Sequence, residues 1–259
     1  MARTTDAQFS DLATVGGRAP NAPAPLERPV GSRSIWLVPA AAVAAALAVW
    51  FGLSGTVGAV LALHAACMLS AWGILLPAGG LIARFAKVTS RQDFPREIEN
   101  LYWWVWHRRL QYAGSVVATL GFVAVVSQTG GRFDTVHGRV GLAVLLLGWS
   151  QVGSAWLRGT KGGPTGRKAD PRDPATWRGD HYDMTARRRR FEAWHRPAGW
   201  AALGAGLLTI VLGVDLVGTP AWLFAVAAVA EGAVVLAFLD GTFRSKRTDT
   251  YASIWGPRR

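Results

Sequence analysis

Residues 64–84, HAACMLSAWGILLPAGGLIAR, form an apolar run with a histidine at one end and an arginine at the other. At about 1.5 Å of rise per helical residue the two ends lie roughly 30 Å apart, the thickness of a bilayer's hydrocarbon core. The stretch reads as one membrane-spanning helix with His64 and Arg84 at opposite faces. A histidine inside such a segment is costly and points to function by default. Three more apolar segments open in the same way, at His107, His137 and His195.

The chain has 259 residues, 51% hydrophobic and 17% charged, with 13 Trp. Its apolar residues come in unbroken blocks of about twenty, which indicates an integral membrane protein rather than a soluble domain with helical or strand periodicity. Six spans are expected, at about 35–54, 57–85, 101–127, 137–157, 195–217 and 219–240. The fold class is therefore an all-α membrane protein. Residues 1–34, rich in Ala, Pro and Gly without periodicity, read as a disordered tail, and 241–259 as a short basic one. The connection 158–193 is rich in Gly, Pro and charge and reads as surface loop with at most a short helix; its His181 reads as a solvated residue. Cys67 alone can form no intramolecular disulfide and reads as a small packing residue.

Of the 28 Lys and Arg, only Arg132 and Arg139 fall on one side of these spans. The positive-inside bias then makes both termini cytoplasmic, in a cell (inner) membrane. It also accounts for the formal charge of +12 without a nucleic-acid partner. The expected partner is membrane lipid.

Consecutive spans run in opposite directions, so the depths of the four histidines alternate. His64 and His137 fall near the outer face, His107 and His195 near the cytoplasmic one. Two imidazoles facing each other at one depth are what a six-coordinate haem iron requires. Gly141 and Gly199 stand four residues beyond His137 and His195, on the same helix face, where a missing side chain leaves room for a flat macrocycle. Met68 and Gln111 hold the corresponding positions after His64 and His107. Arg108, Arg109 and Arg196 beside the inner pair, and Arg139 beside the outer, are candidates to hold haem propionates. With no C-x-x-C-H for covalent attachment, two non-covalent b-type haems are expected.

Other readings compete. A lone histidine at a helix end is often interfacial, and Trp103, Trp104 and Trp106 beside His107 resemble an aromatic belt. Four such histidines at matched depths speak against that. A zinc site would gather three or four ligands at one depth, and ligation through Met68 would leave His137 without a role. Glu231 lies mid-span in the sixth segment, where a carboxylate costs several kcal/mol unless neutral or paired. It is either a proton or quinone site or a hydrogen-bonded packing residue.

Four motifs carry a resemblance: HAACMLSAWGILLPAGGLIAR, WHRRLQ at 106–111, HGRVGLAVLLLGWSQ at 137–151 and WHRPAG at 194–199. Over roughly 60–217 the chain resembles the cytochrome b561 superfamily of six-helix transmembrane di-haem electron carriers. The LLPAGGLIAR form is most similar to the branch often fused to a DOMON domain, although the chain has no room for one. The resemblance implies a haem-binding bundle of the four central helices, with His64 paired to His137 and His107 to His195. Ascorbate-using members carry a different basic motif where Arg84 and Lys87 stand here. The implied function is transmembrane electron transfer from a cytoplasmic donor to an outer acceptor such as a ferric chelate, that is, a ferric reductase. The alternative is a di-haem membrane anchor or redox subunit exchanging electrons between quinol and a partner protein. A homodimer or a redox partner docked on the basic loop stays open, as do donor and acceptor.

Overall fold

The computed structural model describes residues 32–88, 102–158, 186–218 and 220–244. The tail before residue 32, His181 with most of the basic loop, and the chain beyond residue 244 lie outside the described residues. Six helices are long and apolar enough to cross a membrane, and no strand is present among the described residues. The fold is the six-span helical membrane protein expected from the apolar blocks. Its helices are α1 (Leu37–Val57, entered by a 3-10 turn at Ser32–Trp36), α2 (Ala59–Phe85), α3 (Tyr102–Thr129), α4 (Val136–Leu157), α5 (Ala186–Leu216) and α6 (Ala221–Phe243).

α2 is the centre of the bundle. Half of its most apolar window is buried inside the protein, against 11% for α1, α4 and α6. It packs against α1, α3, α5 and α6. Between Leu69 and Leu75 its backbone widens into a π-helix, flanked by ordinary α-helix on both sides. Nearly every residue of that turn is buried. Such π segments are rare and have no composition of their own, so the sequence does not announce this one.

Two boundaries differ from the sequence expectation. α1 runs on to Val57 and meets α2 across the single residue Gly58, whose φ of 85° and ψ of 157° belong to a region only glycine occupies at low cost. α5 begins at Ala186, so the arginine run 187–190 is helical rather than loop. No Gly or Pro interrupts Ala186–Arg196, Arg is a good helix former, and Glu192 bridges Arg188 (3.3 Å) and Arg196 (2.7 Å) one turn to either side. His195 therefore lies well inside its helix instead of at the start.

Helices in a membrane gain most from close backbone approach, because lipid gives no hydrophobic drive between them. α2 and α3 meet at Gly114 and Gly121. A Cβ on Gly121 would stand 2.7 Å from the Cβ of Cys67 and 3.4 Å from the His64 carbonyl oxygen. Cys67 is thus a packing residue of this contact, as expected. Gly204 on α5, by contrast, has open space around its missing Cβ. Gly121→Ala is expected to destabilise the protein by about 1–3 kcal/mol through overpacking. Gly204→Ala should be neutral or stabilising by up to about 1 kcal/mol through helix propensity. Unfolding of the purified variants in mixed detergent micelles checks the contrast.

Candidate functional site

The helices bring the four histidines together as two pairs. His64 on α2 faces His137 on α4 with ring centroids 6.1 Å apart and planes at 90°. His107 on α3 faces His195 on α5 at 6.5 Å and 82°. A metal midway between two imidazoles, bound through bonds of about 2 Å, needs a centroid separation of about 6 Å. Both pairs meet that requirement.

Each ring's orientation has a local cause. Thr135 caps α4 by accepting from the Gly138 amide (3.0 Å), which fixes the turn that carries His137. His64 Nδ1 donates to the Gly121 carbonyl, His107 Nδ1 to that of Gly79 and His137 Nδ1 to that of Thr209, each at 3.0 Å. A carbonyl only accepts, so Nδ1 must carry the proton. That leaves each Nε2 with a lone pair for a metal, the arrangement that orients and strengthens histidine ligands. The His137 ring also lies against Gly213, where a Cβ would stand 2.7 Å from Cε1. His195 departs from the pattern: Phe191 stacks on it at 4.7 Å, and its buried Nδ1 has no hydrogen-bond partner among the described residues.

A cavity opens at each pair. That of His107 and His195 measures about 750 Å³ and that of His64 and His137 about 680 Å³. Both are of the size that holds a cofactor. Gly199 lines the first and Gly141 the second, each on the same helix face as its histidine. Gln111 lines the first, its amide donating to the Leu76 carbonyl (2.9 Å). Met68 lines the second without displacing His137 from His64.

The cavities differ in charge. Arg84, Lys87, Arg108, Arg158, Arg188 and Arg196 surround the His107/His195 cavity, with Glu192 as counter-charge. Arg84 packs over Phe85, Trp200 and Phe238, and Arg108 over Trp104 and Tyr112. Arg109 does not line this cavity; it lies over Trp106. At the other end Arg132 and Asp134 line the cavity. Arg139 does not: it is exposed and donates to the Phe133 (3.3 Å) and Asp134 (3.1 Å) carbonyls. Its position two residues after His137 turns it to the far side of the helix. Arg139 is thus corrected as a propionate candidate.

Three groups escaped the sequence reading. Arg188 is buried at 8% exposure in the wall of the His107/His195 cavity, and only its i,i+4 relation to Glu192 marked it within the run of arginines. Gln151 lines the same cavity with both amide atoms buried and without hydrogen bonds among the described residues. Trp72 lines both cavities. Glu231 lines neither, and its buried Oε1 has no partner among the described residues. Among those residues no three His, Cys, Asp or Glu side chains gather into a metal cluster.

Comparison with known proteins adds one relative. A cytochrome b561, DM13 and DOMON domain-containing protein of Arabidopsis thaliana is 29% identical over 160 residues. The match covers 61% of this chain and 15% of the relative, so the chain spans a small part of that protein's length. No family model matches, and no solved structure does either. The distant relative supports the resemblance to the cytochrome b561 superfamily read from the histidine motifs.

Proposed function

We propose that this protein carries electrons across a membrane through two haem b groups, one held by His107 and His195, the other by His64 and His137. The observation that carries this is the pair of opposed imidazole sets, with ring separations of 6.1 and 6.5 Å, each in its own cavity. Bound there, each haem iron would alternate between ferric and ferrous, taking and giving one electron. The chain's own residues supply ligation, orientation and charge. Hydrogen bonds from Nδ1 to backbone carbonyls hold three of the four rings with Nε2 turned to the ligand. Arg108, Arg188 and Arg196 offer the inner cavity charge-assisted donors for propionates, and Arg132 does so in the outer.

The positive-inside bias supports a cytoplasmic position for the His107/His195 site and for both termini, in the cell membrane. A donor on that side would be oxidised, and an acceptor such as a ferric chelate reduced on the other. A second reading rests on the Arabidopsis relative, whose name joins cytochrome b561 to DM13 and DOMON domains. On that reading this chain is a di-haem membrane module that exchanges electrons between quinol and a partner protein. A soluble donor alone should suffice for the reductase in liposomes, whereas the module should stay inert until its partner is added.

The purified protein should carry two haems b per chain, extractable by acid acetone and quantified as the pyridine haemochrome. One haem per chain, or a haem that resists extraction, overturns the proposal. His107→Ala should lose or weaken the inner haem alone. In oriented vesicles it should no longer accept electrons from a cytoplasmic-side donor, yet still be oxidised by an impermeant chelate outside. His64→Ala should show the reverse. Loss of the same haem in both variants would refute the pairing, and exchanged phenotypes would refute the orientation.

A further inference from the structure

Trp72 stands in the π-helical turn of α2, 5% exposed, and is one of few side chains that line both cavities. Its indole fills a slot between α4 and α5 whose walls are glycines. A Cβ on Gly148 would stand 3.1 Å from Cη2, and one on Gly206 would stand 2.5 Å from Cε3. A larger residue at Gly206 would force the ring to move, and one at Gly148 would press against it. Leu145 also lines both cavities and stands as far beyond His137 as Trp72 stands beyond His64. The two helices thus place equivalent positions between the sites, but only α2 puts an aromatic ring there. The π turn and two glycines accommodate a bulky indole at the point where the cavities come closest.

We infer that Trp72 is the partition between the two sites and the bridge through which the electron crosses from one to the other. This rests on the two-haem reading above. As a bridge, its aromatic ring places a π system in the path between the two sites. Haem held by His107 and His195 would give up one electron, and haem held by His64 and His137 would take it. Trp72 itself is neither oxidised nor reduced, no bond forms or breaks and no proton moves. It is a positioning residue for the transfer, not a ligand.

Two variants of the haem-loaded protein test the idea: Trp72→Phe, smaller but aromatic, and Trp72→Met, flexible and gap-filling but not aromatic. Haem content, the low-spin spectrum of each haem and both midpoint potentials are measured first. The rate of electron equilibration between the haems is then measured after photochemical reduction of the inner one. Both variants are expected to keep two haems with wild-type potentials, Phe near the wild-type rate and Met several-fold slower. Equal rates in wild type and Met overturn the bridge. A Phe variant slowed as much as Met also overturns it, since packing rather than the ring would then set the rate. If Met cannot hold two haems, Phe decides alone: a several-fold loss of rate at unchanged potentials overturns the inference, and a near-wild-type rate upholds it. A wild-type protein with fewer than two haems would sink the underlying two-haem reading instead, and is seen before any rate is measured.

Discussion

At one end of the bundle His64 of α2 gives its Nδ1 proton to the Gly121 carbonyl of α3; at the other, His107 of α3 gives its own back to Gly79 of α2. The two helices exchange the same bond in opposite directions. A single interhelical hydrogen bond in a membrane contributes only about 0.6 kcal/mol on average, so these bonds do not hold the helices together. The close approach at Gly114 and Gly121 does that. What the bonds decide is direction. They select the Nδ1–H tautomer and aim Nε2 into the cavities, and the glycines bring the carbonyls near enough to accept. The second helix pair repeats half of this design: Thr209 lies as far beyond His195 on α5 as Gly121 lies beyond His107 on α3, and it receives His137. The fourth bond is missing. Among the described residues the buried His195 Nδ1 has no partner, and α4 has no π turn to match that of α2.

The two cavities are also unlike electrostatically. Six cationic side chains surround the His107/His195 cavity, and several of them lie over aromatic faces. Cation–π packing of this kind contributes about 0.5–2 kcal/mol each and holds the charge near the cavity mouth. Such a site favours an anionic group or partner and raises the potential of any redox centre within it. The His64/His137 cavity is mostly apolar, with Arg132 and Asp134 near its rim.

Much of the site was legible because it depends on span direction and spacing. Alternating helix orientation placed His64 with His137 and His107 with His195 at the same depth, and four-residue spacing placed Gly141 and Gly199 on the ligand face. The misreadings have equally plain causes. Arg139 was judged by adjacency in sequence, whereas a residue two positions on points away from its neighbour on a helix. The start of α5 was read from hydropathy, which stops at the membrane surface although the helix does not. The π turn and the seat of Trp72 left no trace in sequence because they arise from backbone widening and from glycines on other helices. Gln151 looked like an ordinary polar residue of its span, and Arg188 like one more charge of the surface loop, until burial set them apart.

The one-residue link at Gly58 leaves α1 no slack against α2, whose 27 residues extend to about 40 Å at helical rise and exceed a hydrocarbon core of about 30 Å. Such a hydrophobic mismatch is relieved by tilting. When α2 tilts, α1 must follow, and α3 follows because it is joined to α2 near both ends. A thinner or thicker bilayer therefore changes the depth at which the two histidine pairs sit below its surfaces, and leaves the distance between them nearly constant. Lipid thickness becomes a lever on access to the cavities from either side, separate from the distance between them.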